Sequence, residues 1–337
     1  MKILVCEHAG ACHGVQRALE MAEDALSKGK PVYTLGSLIH NPLVVANLEA
    51  RGIKVLEEID EAKEGILVIR SHGVPPQVID EALAQGLEVV DATCFNVQRV
   101  QEAVRLLRSN DYQVLIVGEA GHPEVESVRA HAGDGTLVAK TPEDLPDDLS
   151  VSTRIGVVAQ TTQAPETLDA IIAELQRRGI EYDVRNTICS ATRQRQRASA
   201  QLAHEVDGMI VIGGHNSGNT TRLYEICKAI CPNTHHIESS NELDPAWFVG
   251  SYACDELDRD ASDRDELDRD EAKCGGSSRD GSSRDRVAHS ELSCGGLSRE
   301  EAGTELTIGV TAGASTPYEQ ITRVVEALKS MDATNSL

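Results

Sequence analysis

The chain has 337 residues, 40% of them hydrophobic and 26% charged, which allows two or three domains with sizeable cores. Its 32 Lys and Arg against 54 Asp and Glu leave a net charge of −22, which argues against nucleic acid or an anionic membrane as the main partner, because both require clustered cations. No apolar run approaches the roughly 20 residues of a membrane span, and Met1–Gly10 lacks the basic and apolar regions of a signal peptide, so the expected location is cytoplasmic.

In chain order, short β-branched runs alternate with amphipathic helical segments. Strands are expected over Lys2–Val5, Ile66–Ile69, Val114–Val117, Ile155–Val158, Met209–Ile212 and Ile308–Val310. Helices are expected over Val15–Ser27, Val97–Arg108 and Glu166–Arg178. This alternation predicts α/β architecture with mainly parallel sheets. Asp255–Gly303 departs from it. DELDRD and GSSRD each occur twice there, and Asp255–Ala302 holds 15 acids against 8 bases. So few apolar residues cannot offset the entropy of ordering, and a disordered acidic insertion is expected. Cys254, Cys274 and Cys294 recur every 20 residues, but CGG recurs too, so local duplication explains the spacing more simply than a metal site.

Nine cysteines in a reducing compartment point to metal or redox chemistry rather than disulfides. Three of them carry an internal repeat. Cys12 in GACHGVQRAL, Cys94 in DATCFNVQRV and Cys189 in NTICSATRQR each lie between a strand-like run and a helix. Counting 24 residues on from each reaches Gly36, Gly118 and Gly213, each closing a second strand. Four further on stand His40, His122 and Ser217, and two beyond those Pro42, Glu124 and Asn219. A third strand then ends in a polar residue followed by proline: His72, Thr161 and Ser315. Met1–Val5 is free to complete the sheet of the third unit.

Ligands of parallel α/β sheets bind beyond the carboxyl ends of the strands, where all these residues lie. Threefold placement gathers three cysteines, each at a helix N-terminus, which favours thiolate. Three thiolates leave one position open, either on a catalytic zinc or on one iron of a [4Fe–4S] cluster. Cys6, Cys227 and Cys231 read as small buried hydrophobes. The remaining histidines read as ordinary core or surface residues, apart from His13, which adjoins Cys12. No Lys or Arg occupies a repeated position, so histidine is expected to supply the local positive charge. Glu124 is the only acid among the repeated positions and is the candidate proton donor.

The strings GACHGVQRA, SLIHNPLVV, SHGV, DATC, AGHPEVE, QTT, CSAT, NSGNTTRL and GVTAGASTP resemble the 4-hydroxy-3-methylbut-2-enyl diphosphate reductase (LytB/IspH) family over nearly the whole chain outside the insertion. The resemblance implies a three-lobed α/β fold around a [4Fe–4S] cluster held by Cys12, Cys94 and Cys189. Lobes are expected at 13–95, with Cys12 at its edge, 96–189 and 190–337, the last open to completion by 1–12. The resemblance also implies removal of the 4-hydroxyl as water by two electrons and two protons, the last step of the methylerythritol phosphate route to isoprenoids. His40, His72, His122, Ser217, Asn219 and Ser315 are then expected to hold the diphosphate, and Thr161 and Glu124 to handle the hydroxyl and its proton. Ferredoxin or flavodoxin is the implied electron donor, with Arg193, Arg195 and Arg197 as the expected docking patch. Two features depart from the family pattern: Phe95 and Asn96 follow Cys94 where proline is usual, and the insertion precedes the strand that carries Ser315. Quinolinate synthase and the diphthamide-synthesis enzymes resemble the same three-lobed plan, but leave AGHPEVE, SHGV and GAST unexplained. A non-catalytic iron–sulfur or zinc sensor would leave Glu124, Thr161 and Asn219 without a role.

Overall fold

The computed structural model describes residues 1–248 and 305–335. The expected acidic insertion, with Cys254, Cys274 and Cys294, lies outside the described residues. The described residues form three four-stranded sheets, and every pairing among them is parallel.

The first sheet comprises β2 (Val32–Leu35), β3 (Ile53–Leu56), β4 (Ile66–Ile69) and β5 (Glu88–Asp91), in the order β3-β2-β4-β5. The second comprises β6 (Gln113–Val117), β7 (Leu137–Ala139), β8 (Ile155–Ala159) and β9 (Tyr182–Arg185), in the order β7-β6-β8-β9. The third is built from β10 (Gly208–Ile212), β11 (Thr234–Ile237), β12 (Thr307–Ala312) and the first strand, β1 (Lys2–Val5), in the order β11-β10-β12-β1. One topology is used three times, and the N-terminal strand fills in the third sheet the place that β5 and β9 fill in the others. Lys2 pairs with Thr307 and Val5 with Val310.

The inner strands explain themselves. ILVI of β4, IGVVA of β8 and GMIVI of β10 are buried along their whole length. A parallel strand covered by helices on both faces reads as such a continuous apolar run. The edge strands β3, β7 and β11 are short and only partly buried, so they carry no such signature. Helices α1 (His13–Ser27), α4 (Phe95–Ser109) and α7 (Ser190–Ala203) each start directly after one of the three repeated cysteines. Helices α2 (Pro42–Ala50), α5 (Pro123–Ala132) and α8 (Gly218–Ile230) each follow the central strand of a sheet. Helices α3 (Pro76–Ala84), α6 (Pro165–Arg177) and α9 (Tyr318–Asn335) follow the third strand.

Each sheet has apolar clusters on both faces. Ala18, Ala22 and Ala25 of α1 pack with Val32, Ile66 and Val68, while Leu67 and Ile69 turn to the opposite face with Tyr33 and Ala82. Burying one Leu or Ile side chain contributes about 1.5–3 kcal/mol, so these layers hold the strand ends in place. Close packing also dictates Gly156 in β8: a Cβ there would lie 2.8 Å from Leu107 Cδ2 of α4. Among the described residues no helix is long and apolar enough to cross a membrane.

Candidate active site

The three cysteines occupy one structural position. Each is the N-cap of its helix, with non-helical backbone. The backbone N–H of Cys12 donates to Ala314 O (3.1 Å), that of Cys94 to Ser71 O (3.0 Å) and that of Cys189 to Thr161 O (3.0 Å). This bond ties each helix start to the chain just past the third strand of its sheet. It also corrects the repeat register. Ser71, Thr161 and Ala314 are equivalent, so Thr161 stands one position earlier than His72 and Ser315.

The thiols converge. A Cβ on Gly14 would lie 2.6 Å from Cys94 Sγ and 3.9 Å from Cys12 Sγ, so glycine leaves room for both sulfurs. Burial pushes the Cys94 thiol up; the N–H groups of Asn96 and Val97 oppose this, and the nearby Cys12 and Cys189 thiols add to it. Cys189 Sγ accepts from Thr192 N at 3.3 Å. Phe95, where proline was expected, begins α4 with its ring 48% exposed and edge-on to His13 at 6.4 Å, so the departure leaves Cys94 at its helix cap. Cys6, Cys227 and Cys231 are buried in an apolar cluster beside Leu202, Met209 and Leu223.

Glu124 is 2% exposed. Its Oε1 accepts from Thr161 N at 2.6 Å, and its Oε2 accepts from Thr161 Oγ1 at 2.8 Å. Burial raises the Glu124 carboxyl, and the two Thr161 donors offset part of that rise. A buried carboxyl held by only neutral donors keeps its proton more readily than one in water.

His40, His72 and His122 come together, with ring centroids 4.2, 5.2 and 5.7 Å apart. His122 caps α5 through Nδ1, which accepts from Glu124 N at 3.1 Å. That bond leaves Nε2 to carry the proton and act as a donor. Burial, then His122, then Arg70 push His40 down to about 4. Burial also lowers His72 and His122, again with Arg70 opposing their charge. Burial and the neighbouring positive charge therefore favour the neutral form of all three rings. The expectation that no cation lies among them fails, because Arg70 approaches from β4. Its Nε donates to Gly73 O at 3.2 Å, and its Nη1 would lie 2.9 Å from a Cβ on Gly36. Gly36 has φ +68°, and both that conformation and the guanidinium above it require glycine.

The third lobe meets the other two at this point. A Cβ on Gly214 would lie 3.0 Å from His40 O, and one on Gly218 would lie 3.9 Å from Glu119 Oε2. Ser217 caps α8, its Oγ accepting from Thr220 N. Both polar side-chain atoms of Asn219 are buried without a partner, as are His40 Nε2 and His72 Nδ1. Ser315 is 9% exposed, and its carbonyl accepts from Asn41 Nδ2 at 2.8 Å. Asn41 caps α2 and so links His40 to Ser315; its position, one off the repeat, hid it from sequence reading. Arg70 was hidden because it precedes the SHGV string rather than repeating. A cavity of about 580 Å³ opens beside His122, lined also by Glu119, Val138, Lys140 and Asp144.

The expected docking patch needs correction. Arg193 and Arg197 are exposed, but Arg195 is 4% exposed and points inward. Along α7 the two outer arginines and Arg195 project from different faces, as the helical period demands.

The chain as a whole is similar to known proteins. A protein of Pelobacter propionicus named 4-hydroxy-3-methylbut-2-enyl diphosphate reductase is 46% identical over 250 residues, covering 74% of this chain and 89% of its own length. One of the same name from Geobacter sulfurreducens is 46% identical over 257 residues, covering 74% and 88%. A solved structure of (E)-4-hydroxy-3-methyl-but-2-enyl diphosphate reductase, described as the terminal enzyme of the non-mevalonate pathway, is 37% identical with a TM-score of 0.63, covering 98% of this chain and 100% of its own. The Plasmodium falciparum reductase structure shares the fold at 22% identity and a TM-score of 0.76, covering 97% and 88%. The LytB protein family profile matches residues 3–256. With that match over three quarters of its length, the chain belongs to the LytB protein family.

Proposed function

We propose that this chain reduces 4-hydroxy-3-methylbut-2-enyl diphosphate to isopentenyl diphosphate and dimethylallyl diphosphate. The observation that carries the reading is the Glu124–Thr161 pair, a buried carboxyl held at 2.6 and 2.8 Å, set between converging thiols and histidines with unpartnered nitrogens. The three lobes 13–95, 96–189 and 190–337 with 1–12 contribute Cys94, Cys189 and Cys12 respectively.

The residues present fit a [4Fe–4S] cluster. Three thiols converge, Gly14 leaves the space between two of them, and each sits at a helix N-terminus that favours thiolate. Cys12, Cys94 and Cys189 would hold the cluster, which when bound supplies electrons singly and Lewis acidity at the iron without a cysteine.

The protein's own groups do the rest. His40, His72, His122, Ser217, Asn219 and Ser315 bind the diphosphate; an acceptor-rich ligand would satisfy the bare Asn219 Nδ2 and, as donors, the bare His40 Nε2 and His72 Nδ1, while Asn219 Oδ1 would take a donor such as a ligand hydroxyl. Arg70 adds a fixed charge behind the histidines. Glu124 holds the proton that leaves with the 4-hydroxyl as water. When Glu124 is protonated on Oε2, Thr161 Oγ1 accepts from it and turns its own proton towards the substrate oxygen. Burial of this pair keeps bulk water from competing. The second proton and two electrons reach the substrate from outside the pair, the electrons from a low-potential carrier such as ferredoxin or flavodoxin docking near exposed Arg193 and Arg197. The cytoplasm is the compartment where such carriers and reduced thiols coexist.

The test is turnover of the allylic alcohol diphosphate by anaerobically purified protein with a strong reductant, alongside its absorption and Mössbauer spectra. Both product diphosphates and one iron site distinct from three are expected. A protein that holds iron yet leaves the substrate unchanged would overturn the reaction.

A further inference from the structure

Arg195 is a buried cation that the reaction as described does not use. It lies on α7, six residues past Cys189, and is 4% exposed. Its Nε donates to His8 O at 3.1 Å and its Nη2 to Gly10 O at 2.8 Å, while Nη1 reaches Ala191 O at 3.4 Å. His8 and Gly10 belong to the loop that delivers Cys12; Ala191 belongs to the first turn after Cys189. One guanidinium therefore latches the Cys12 loop onto the helix that Cys189 caps. Its planar fork suits this work, because several carbonyls are held at once by one rigid group.

The latch has a counterpart and a gap. Arg17 of α1 holds the loop before Cys94, its Nη1 donating to Thr93 O at 3.2 Å and its Nη2 to Asp91 O at 3.4 Å. Arg17 is only partly buried. The loop before Cys189 is held instead by neutral groups, with Thr187 Oγ1 donating to Ala159 O at 2.5 Å. Arg195 is thus the one deeply buried charge among the three holds. No carboxylate pairs with it in the described ion pairs. Its carbonyl partners lie within four residues of Cys12 and two of Cys189, so the thiols of those residues, when ionised, favour its charged form against the cost of burial. An uncompensated buried cation is costly. Two thiolates of an anionic centre are the compensation this geometry offers.

We propose that Arg195 is a positioning residue for the iron–sulfur centre, which locks the Cys12 loop to the Cys189 helix and places a permanent positive charge behind those two ligands. The inference rests on the reading that the three cysteines hold a cluster. Reduction adds a negative charge to such a centre, so a fixed cation nearby favours the reduced form and raises the midpoint potential. The latch also slows loss of the group by holding two of its three ligands together.

The experiment compares wild type with Arg195→Met, Arg195→Gln and Arg195→Lys, each reconstituted anaerobically. Midpoint potential is read by an EPR-monitored dithionite titration, and ligand hold by the rate of iron release to a chelator. Arg195→Met and Arg195→Gln are expected to shift the potential to more negative values. Arg195→Lys keeps the charge and should stay near wild type in potential, yet lose iron several-fold faster because the fork is gone. If Arg195→Met takes up no iron, Arg195→Gln retains a donor without the charge and carries the comparison. Wild-type potential and wild-type release rate in Arg195→Gln would overturn the proposal. Arg17→Met is the control, with a smaller shift expected from its partial exposure; an equal shift would also count against a special role for Arg195. A wild-type protein that shows no cluster signal would overturn the cluster reading itself, which separates that failure from this one.

Discussion

Lobes two and three place different chemistry on one backbone position. Glu124 and Asn219 are each the second residue of the helix that follows the central strand, α5 and α8. Glu124 is fully engaged, with both carboxylate oxygens bonded to Thr161. Asn219 is as deeply buried, at 4% exposure, and bonded to nothing. The reason lies across the sheet end. The residue equivalent to Thr161 in the third lobe is Ala314, which has no hydroxyl to offer. A buried amide without partners costs free energy and is retained when a ligand completes it. The second lobe therefore has its carboxyl fully bonded within the protein, and the third leaves its amide unpaired, the difference on which the proposed roles of proton donor and diphosphate ligand rest.

The frame shared by both lobes is the easiest part to break. Cys94→Ser is expected to lose most bound iron and all turnover, and Cys12→Ser and Cys189→Ser likewise. Serine at Cys227 should leave iron content near normal, since that thiol is buried among apolar groups and pushed up to about 12. Iron analysis and activity after anaerobic reconstitution check this; an active Cys94→Ser protein with full iron would remove the cysteine centre.

Glu124→Gln tests the engaged side. Gln keeps the shape and can still bond Thr161, so substrate should bind and perturb the cluster spectrum as before. Turnover should fall at least about 100-fold, the low end for general acid catalysis. A near-normal rate would reduce Glu124 to a helix-capping acid, and a lost spectral response would make it a binding residue.

Asn219→Ala tests the open side. Its amide has no protein partner, so melting temperature should hold or rise. Affinity for inorganic diphosphate should fall about 10–100-fold, as for losing one hydrogen bond to a charged group, about 1.5–3 kcal/mol. A loss of stability with unchanged affinity would show that the amide serves the fold.

The smallest effect concerns pH. His40 falls to about 4 from 6.5, and His72 and His122 fall as well, each chiefly through burial. The unfolded chain then binds more protons than the folded one in the window below 6.5, so stability is full above it and declines as pH falls towards 4. A bound diphosphate reverses the preference by favouring charged rings. Binding should take up protons, and affinity should rise as pH falls from 8 to 6, by up to about tenfold per pH unit for each proton taken up. Calorimetry in buffers of unlike ionisation enthalpy measures the uptake; the same uptake in His40→Asn would take His40 out of the account.

Much of this arrangement is legible in the sequence because it repeats. Cys12, Cys94 and Cys189 share their place between strand and helix, and a spacing that recurs three times is far more specific than any one thiol. The continuous apolar runs of β4, β8 and β10 marked the inner strands for the same reason. The edge strands β3, β7 and β11 left no comparable trace, since a short, half-buried strand makes few demands on its residues.

The elements, the threefold plan and the set of residues at the strand ends are written into residue type, because burial and helix capping are local demands. Tertiary structure alone decided which of those residues face one another. It set Thr161 one position ahead of its expected register, turned Arg195 inward onto the carbonyls of the loop before Cys12, and brought Arg70 to the histidines. Each of these depends on contacts between segments far apart in the chain, and no local pattern records where a guanidinium at the end of a long flexible side chain comes to rest.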